Sequence, residues 1–228
     1  DKDDRPSYAI VRTLNHTDSV QAVVITPDNR FVISGGYNGI VKWDHQTGQA
    51  VKRRGNGGYV YGLATDGTIV VSCREDNKIV GMWNMDLELE QSLEGHTSGV
   101  YGAVGVFSVD ISPDSTMIVS GDEIGEVKVW KKGGEGRWAC VKTWNDNTGE
   151  EAVAVIFSPN GEMLATGLGD RKINVYSVFD DLSLIHTMEG HTANIYSLSF
   201  DPDSSTLVSH SQDESPRLWN CLLYTSDD

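Results

Sequence analysis

Residues 189–219 read EGHTANIYSLSFDPDSSTLVSHSQDESPRLW, and this stretch decides the fold. It contains three short runs rich in apolar and β-branched residues, at 195–200, 207–209 and 217–219. Turn-forming residues separate these runs, at 201–204 and 212–214. Short apolar runs bounded by regularly spaced turn signals predict a meander of antiparallel β-strands.

The chain repeats this stretch five times in succession. An aromatic residue closes each unit, and steps of 40, 47, 46 and 43 residues separate the closing positions Trp43, Trp83, Trp130, Tyr176 and Trp219. A turn lies inside each unit, at Pro27, Pro113, Pro159 and Pro202, with Asp66-Gly67 in the second unit. A period near forty residues indicates a repeat protein in which each unit forms one small sheet.

The ends of the units carry a further signature. Gly-His pairs open two units and aromatic-Asp or aromatic-Asn pairs close three, as seen in Gly95-His96, Gly190-His191, Trp43-Asp44, Trp83-Asn84 and Trp219-Asn220. With this signature, the chain resembles the WD-repeat β-propeller family over about residues 8–220. The resemblance implies an all-β fold of five four-stranded antiparallel blades, in a closed small ring or an open partial ring. Propellers of this family more often have seven blades.

The repeat also predicts the layout of the chain. We expect one WD-repeat β-propeller over residues 1–220, with units at about 15–50, 51–92, 93–140, 141–188 and 189–220. In this family the outer strand of a blade follows the closing aromatic residue, so a leading strand at 8–14 should be the outer closing strand of the last blade. Residues 221–228 resemble translated sequencing-library adapter, and we expect a non-native tail on a fragment of a longer protein.

Two irregularities interrupt the pattern. His96 and Pro113 are 17 positions apart, against 11 in the first and fifth units, so about six extra residues around 100–105 should lengthen the loop that enters the innermost strand. Pro216 falls inside the predicted third strand of unit five. Because proline cannot donate to a ladder, we expect that strand to be weakened or bulged there.

Composition and charge limit the classes of partner. With 39% hydrophobic and 22% charged residues, the chain is predicted to be globular, and it has no apolar run long enough to span a membrane. Its net charge of −15 argues against nucleic acid and anionic membranes, while a basic protein or peptide is compatible. Three cysteines without paired spacing indicate a reducing compartment, cytoplasmic with the nucleus left open.

Unit five carries His191, Ser209 and Asp213, the residue types of a serine-hydrolase triad. A nucleophilic serine also needs an oxyanion hole and an open pocket, and no Gly-x-Ser-x-Gly elbow surrounds Ser209. In WD-repeat proteins these residue types and the closing Trp, here Trp219, form one buried hydrogen-bonded chain. We therefore predict a structural tetrad rather than a catalytic site, and expect the loss of one member to cost about 1–3 kcal/mol.

The other units retain parts of this tetrad. By the resemblance, the retained members are His16, Ser34, Asn38 and Trp43 in unit one, Ser72, Asp76 and Trp83 in unit two, His96, Ser120 and Trp130 in unit three, and Thr166 and Asp170 in unit four. Ile124 occupies the Asp position of unit three, so His96 should lack its usual anchor. We therefore expect unit three to be the loosest.

Partner contacts in WD-repeat proteins concentrate on the top face, at the start of each innermost strand and just before the tetrad Asp. Carried onto this sequence, these positions include a group of aromatic, acidic and polar residues: Tyr37, Tyr59, Tyr61, Glu75, Phe107, Glu123, Glu151, Tyr196 and Gln212. Tyrosine is enriched at interface hot spots, and aromatic faces attract Arg or Lys. The alternative is that the tyrosines only pack around the central channel.

These observations predict a non-enzymatic scaffold that binds a protein or peptide partner. The sequence has no zinc spacing, phosphate-binding Gly loop or calcium loop, so we expect neither a metal nor a cofactor, and no small-molecule substrate is evident. Two alternatives stay open: a sensor or regulatory propeller of a larger multidomain signalling protein, and, less favoured, a propeller hydrolase. The sequence does not identify the partner.

Overall fold

The computed structural model describes residues 10–55, 58–74, 78–96, 105–145 and 154–221. All regular secondary structure in these ranges is β, so they contain no helix of the length and apolarity needed to cross a membrane. The predicted WD-repeat propeller architecture is confirmed, because the strands form consecutive antiparallel meander sheets.

The described strands form five sheets, which we call blades one to five. Blade one contains β1 (Val20–Ile25), β2 (Phe31–Gly36), β3 (Gly39–Asp44) and β4 (Ala50–Arg54). Blade two contains β5 (Val60–Thr65), β6 (Ile69–Arg74), β7 (Val80–Asn84) and β8 (Leu89–Leu93). Blade three contains β9 (Val106–Ile111), β10 (Met117–Asp122), β11 (Glu126–Lys132) and β12 (Trp138–Asn145). Blade four contains β13 (Ala154–Phe157), β14 (Met163–Gly167), β15 (Ile173–Ser177) and β16 (Ser183–Met188). Blade five contains β17 (Ile195–Phe200), β18 (Thr206–Ser211) and β19 (Arg217–Asn220).

A recurrent side-chain hydrogen bond shapes the turn between the first two strands of a blade. In blade one, the Thr26 hydroxyl donates to Asp28 Oδ1 at 2.6 Å and accepts the backbone N–H of Phe31 at 3.0 Å. Asn29 inside this turn has a φ of 56°, in the left-handed region that Asn tolerates. The same arrangement recurs at Ser112 and Asp114, and at Ser158 and Asn160. The turns at Pro27, Pro113 and Pro159 therefore share one side-chain arrangement.

Hydrophobic cores lie between consecutive blades. Four clusters of buried side chains join blades one and two, two and three, three and four, and four and five. A middle blade is therefore covered on both faces, which explains why β10 is buried along its whole length. Small residues permit the close approach: a Cβ at Gly167 of blade four would lie 2.6 Å from Ile195 Cγ2 of blade five.

The five blades form an open partial ring. The innermost strands β1, β5, β9, β13 and β17 pack side by side in that order, and no comparable contact within the described ranges joins β17 to β1. The end faces of the arc consequently expose apolar side chains, including Val23 at 63% and Leu218 at 74%.

Two predictions about strands are wrong. Residues 10–14 form no strand and complete no blade; they lie beside blade one, where the Arg12 guanidinium donates to the carbonyl of Thr47. Blade five accordingly has three described strands rather than four. Pro216 does not interrupt a strand, because β19 begins one residue later and pairs with β18 in a regular register. The predicted insertion lies largely outside the described residues, as does the predicted tail after Cys221.

Candidate functional site

Blade five contains the complete tetrad predicted from the sequence. His191 Nδ1 lies 2.9 Å from Asp213 Oδ2, and His191 Nε2 lies 2.6 Å from Ser209 Oγ. The Trp219 indole donates to Ser209 Oγ at 2.9 Å. The backbone N–H of Thr192 also donates to Asp213, and this bond, together with the one from His191, holds the pKa of Asp213 well below its usual value. The network fixes the entry loop, the second strand and the third strand to one another.

The same atoms are poorly placed for catalysis. Ser209 is 1% exposed, and its oxygen already accepts the Trp219 N–H. A nucleophile must instead meet a substrate in an open site beside oxyanion-hole donors. The geometry of blade five is therefore that of a structural hydrogen-bond network. We call this network of His191, Ser209, Asp213 and Trp219, and its counterpart in blade three, a staple.

Blade three corrects the prediction that His96 has no carboxylate anchor. His96 Nε2 lies 2.7 Å from Ser120 Oγ, and the Trp130 indole donates to the same oxygen at 2.9 Å. The carboxylate comes from Asp122, whose Oδ2 is 3.1 Å from His96 Nδ1. Asp122 lies two residues before the Ile124 position that the alignment indicated. Its Oδ1 accepts the backbone N–H groups of residues 124 and 126, so the turn itself orients the carboxylate.

A second carboxylate reaches the same imidazole. Glu126 Oε2 lies 3.2 Å from His96 Nδ1, and Glu126 Oε1 lies 3.3 Å from the ammonium of Lys128. Blade three is thus held by a larger polar network than blade five, so the expectation that it is the loosest is not supported by its hydrogen bonding.

His96, Asp122 and Glu126 are also the described residues best arranged to hold a metal ion. Their donor atoms lie within 4.8 Å of one another, and a nitrogen with two carboxylate oxygens is a chemically acceptable ligand set for zinc. The two carboxylates share the single Nδ1 hydrogen of His96, and Lys128 lies beside Glu126. These contacts are part of the blade-three network.

Blade one keeps half of the tetrad. The Trp43 indole donates to Ser34 Oγ at 2.7 Å, as in the complete networks. His16 lies beside Trp43, with ring centroids 6.3 Å apart, but its Nε2 has no hydrogen-bond partner. The Asn38 amide donates to Asp18 and does not anchor His16. An amide at the Asp position has thus left the histidine only partly fixed.

Blades two and four depart further from the pattern. In blade two the Trp83 indole donates to Ser72 Oγ at 2.8 Å, while the predicted member Asp76 lies outside the described residues. In blade four Thr166 Oγ1 is buried without a hydrogen-bond partner, and the Asp170 carboxylate accepts the backbone N–H of residue 172 instead.

A tryptophan from the preceding blade occupies part of the blade-four site. The rings of Trp144, at the end of β12, and Tyr176 have centroids 4.9 Å apart. Burial raises the pKa of the Tyr176 phenol. The repeat pattern does not predict this aromatic pair, because Trp144 precedes the position that histidine occupies in the complete tetrads.

Four of the predicted contact residues form a continuous aromatic row, the residues Tyr37, Tyr59, Tyr61 and Phe107. Consecutive ring centroids in this order are 4.8, 5.9 and 4.6 Å apart. The row extends from the β2–β3 turn of blade one, past the start of β5, to β9 of blade three. Tyr37 is 49% exposed and the other three rings are half-buried. Aromatic surface is therefore presented along one side of three consecutive blades.

The remaining predicted contact residues are not part of this row. Tyr196, which is 51% exposed, and Gln212 belong to blade five at the other end of the arc. Glu123 lies in the β10–β11 turn, where its backbone N–H donates to Gly105 at 3.2 Å. Glu75 and Glu151 lie outside the described residues. Glu123 is thus the one predicted acidic contact residue that lies among the described residues.

Comparison with known proteins identifies the repeat. The family model described as WD domain, G-beta repeat, matches four segments that make up more than half of the chain: 9–44, 87–131, 138–177 and 182–220. Protein SPA1-RELATED 3 of Arabidopsis thaliana is 34% identical over 123 residues, which are 53% of this chain and 14% of that protein. WD repeat and SOCS box-containing protein 1 of Takifugu rubripes is 29% identical over 113 residues, 49% of this chain and 26% of that protein. The similarity thus spans about a quarter or less of each of these two relatives.

Proposed function

This chain belongs to the WD40 family of WD-domain, G-beta repeats, and from that premise we propose that it is a non-enzymatic scaffold that binds a protein or peptide along the aromatic row. WD40 repeats generally mediate protein–protein interaction. The observation that carries the proposal is the continuity of the row across three blades, with Tyr37 half exposed. Tyrosine-rich surface on a rigid scaffold is typical of interface hot spots.

The proposed partner carries Arg or Lys side chains. A cation over an aromatic face gains about 0.5–2 kcal/mol, so several such contacts must combine to give useful affinity. The net charge of −15 adds a long-range attraction for a basic segment and disfavours nucleic acid. Three cysteines without a disulfide, Cys73, Cys140 and Cys221, support placing this interaction in a reducing intracellular compartment.

A regulatory propeller within a larger signalling protein is the second candidate. It is favoured by the relatives, because the aligned regions cover 14% and 26% of their lengths. The name of one relative pairs WD repeats with a SOCS box. In this case the aromatic row would receive a partner for the rest of the protein to act on. A hydrolase is disfavoured by the burial of Ser209.

Titration against a library of basic peptides tests the proposal. We expect the double variant Tyr37→Ala, Tyr59→Ala to bind the selected peptides roughly 5–1,000-fold more weakly than the parent, from two lost cation–π contacts. Binding should also weaken as salt rises, because screening shortens the reach of exposed charges to about 8 Å at physiological ionic strength.

The matched control is Phe179→Ala, which removes an aromatic ring that is 78% exposed in blade four, away from the row. This variant should bind as the parent does, and both variants should keep the parent's melting temperature within a few degrees. Equal binding by the parent and the double variant would place the interaction on another surface.

A further inference from the structure

Blade two contains a cavity at the place where complete tetrads hold an imidazole. In blade five the ring of His191 contacts Ser209 and lies 6.0 Å from the ring of Trp219. Blade two has the corresponding Ser72 and Trp83, but its entry segment, Arg53-Arg54-Gly55-Asn56-Gly57-Gly58, has no histidine. A cavity of about 190 Å³ lies beside this serine and tryptophan, lined by Ser72, Arg74, Ile79, Gly81, Trp83, Leu89 and Ser92.

A glycine in the third strand lies against the Trp83 indole and Ser72 at this cavity. Gly81 pairs with Ser72, at the register position that Lys128 occupies in blade three and Arg217 occupies in blade five. Those two long side chains pass close to the Gly-His entry segment, since Cβ atoms built at Gly95 and Gly190 would approach them. Gly81 has no such side chain, and a Cβ there would lie 2.9 Å from Trp83 Nε1 and 3.2 Å from Ser72 Oγ. Blade two therefore lacks both the imidazole and the long side chain that lie near the entry segment in blades three and five.

The hydrogen-bonding capacity of the cavity matches a ring nitrogen. Ser72 Oγ accepts the Trp83 indole N–H at 2.8 Å, which leaves the serine O–H to donate. Within the described part of the chain, no acceptor for that O–H accompanies the bond from Trp83. In blade five the corresponding hydroxyl lies 2.6 Å from an imidazole nitrogen. Ser72 and Trp83 thus form two members of a tetrad, and an imidazole would add a third.

We propose that this cavity binds a neutral imidazole ring, supplied either by a small molecule or by the histidine side chain of a partner peptide. One ring nitrogen accepts the Ser72 O–H, and the ring packs beside the Trp83 indole. The cavity volume is about six times the ~30 Å³ that one water molecule occupies in the liquid, which leaves room for a five-membered ring. The second ring nitrogen is hydrated on the open side, near Leu89, which is 48% exposed.

The ring must be neutral to bind. A protonated imidazole has no lone pair for the Ser72 hydroxyl. Occupancy should therefore fall as the pH drops below about 6.5, where the histidine side chain gains its proton.

Indole N–H resonances report directly on this site. The chain has six tryptophans, and in a ¹⁵N-labelled sample we expect imidazole to shift the Trp83 indole signal to saturation, with a dissociation constant on the order of millimolar. The Trp130 and Trp219 signals should not move, because their serines already contact a histidine. At ten times the dissociation constant, the melting temperature should rise by about 3–5 °C.

One ligand comparison tests whether the ring nitrogen is recognised, and a second tests whether the ring can come from a histidine side chain. Pyrrole has a ring of the same size without an acceptor nitrogen, and should leave the Trp83 signal unchanged. A capped Gly-His-Gly peptide, compared with capped Gly-Ala-Gly, tests whether a histidine side chain can enter. A shift with imidazole alone would restrict the ligand to small molecules, and a shift with both would support capture of a partner histidine.

Three variants complete the test. Ser72→Ala removes the donor, and Ser92→Leu fills the cavity from β8 without touching that donor, so each should abolish the Trp83 shift. His191→Ala opens the equivalent space in blade five, and imidazole should then move the Trp219 signal. An unmoved Trp83 signal at 100 mM imidazole in the parent would overturn the proposal. So would a shift that pyrrole reproduces, or one that Ser92→Leu leaves intact.

Discussion

The Asp110 carboxylate on β9 accepts the backbone N–H of Phe157 on β13 at 2.7 Å, and so links the innermost strands of blades three and four. Two residues earlier on each strand, Ser108 Oγ accepts the backbone N–H of Val155 at 3.1 Å. Because β13 is an edge strand, these side chains satisfy N–H groups on its unpaired side. Burial raises the pKa of Asp110 to about 6.

Asp110 should make stability depend on pH in a defined window. Between about pH 4 and 6 the unfolded chain ionises this carboxyl while the folded chain keeps it protonated, so its contribution to the free energy of unfolding falls by about 2–3 kcal/mol as the pH rises. Asp110→Asn keeps an oxygen acceptor for Phe157 and does not titrate. Urea unfolding at several pH values should show that the free energy of unfolding of the variant rises relative to that of the parent between about pH 4 and 6. Above about pH 6 the difference between the two proteins should be constant. A pH-independent difference would contradict the raised pKa.

Removing the central hydroxyl of the blade-five staple should destabilise the protein. Ser209→Ala leaves the Trp219 indole and His191 Nε2 without their shared partner, at a cost of about 1–3 kcal/mol in the free energy of unfolding. Ser199→Ala, on an exposed position of β17, is the control and should change stability by less than about 0.5 kcal/mol. Indistinguishable thermal melts for the two variants would show that the tetrad contributes no stability.

Blade three provides a test between the alignment and the structure. Asp122→Ala removes the acceptor for His96 and for two backbone N–H groups, and should cost at least about 1–3 kcal/mol. Ile124→Ala, at the position where the alignment placed the anchor, should have a smaller effect because its side chain is half-buried and makes no staple contact. Chemical denaturation measures both. A larger loss of stability in the Ile124 variant than in the Asp122 variant would show that Asp122 is not the anchor of His96.

Close packing between blades one and two should make Gly35 sensitive to a single methyl group. A Cβ there would lie 2.5 Å from Val60 Cγ1, so Gly35→Ala should displace β5 and cost about 1–3 kcal/mol. Gly134→Ala is the matched control, since no atom lies within 4 Å of its Cβ position. Calorimetry should show a lower melting temperature for the first variant alone. Tolerance at both positions would mean that the two blades separate easily.

The apolar end faces of the arc should promote self-association. Leu218→Lys places a charge on the open face of blade five, at a side chain that is 74% exposed, and should shift size-exclusion profiles with light scattering toward monomer. Leu184→Lys is the control, because this leucine is 55% exposed on the outer strand β16. If both variants, or neither, reduced association, the end face would not be the contact surface.

The repeat period predicted the fold because it depends on features that every blade shares. The strand β17 has the predicted bounds 195–200, and the closing indoles of Trp43, Trp83, Trp130 and Trp219 all donate to the second-strand serines that the repeat pairs with them. These bonds are local, since each connects positions 9–11 residues apart in one hairpin. Local pairings repeat with the sequence and can be read from it.

The failures concern contacts that do not repeat. Asp122 was missed because a carboxylate two residues early reaches the same imidazole when its turn bends differently, and spacing alone does not encode that bend. The pair of Trp144 and Tyr176 joins two blades, so aligning one blade with another cannot reveal it. The segment 10–14 has the composition of a strand, yet it lies beside blade one rather than pairing with β19.

The placement of the four hydrophobic cores determines the order in which the blades unfold. Each core belongs to two consecutive blades, so an end blade shares one core while a middle blade shares two. Unfolding blade one or five therefore breaks one interface, and unfolding blade three breaks two. In such nearest-neighbour systems, local unfolding begins at the two end blades and proceeds inward. Amide hydrogen exchange should then be fastest in the outermost blades and slowest in blade three.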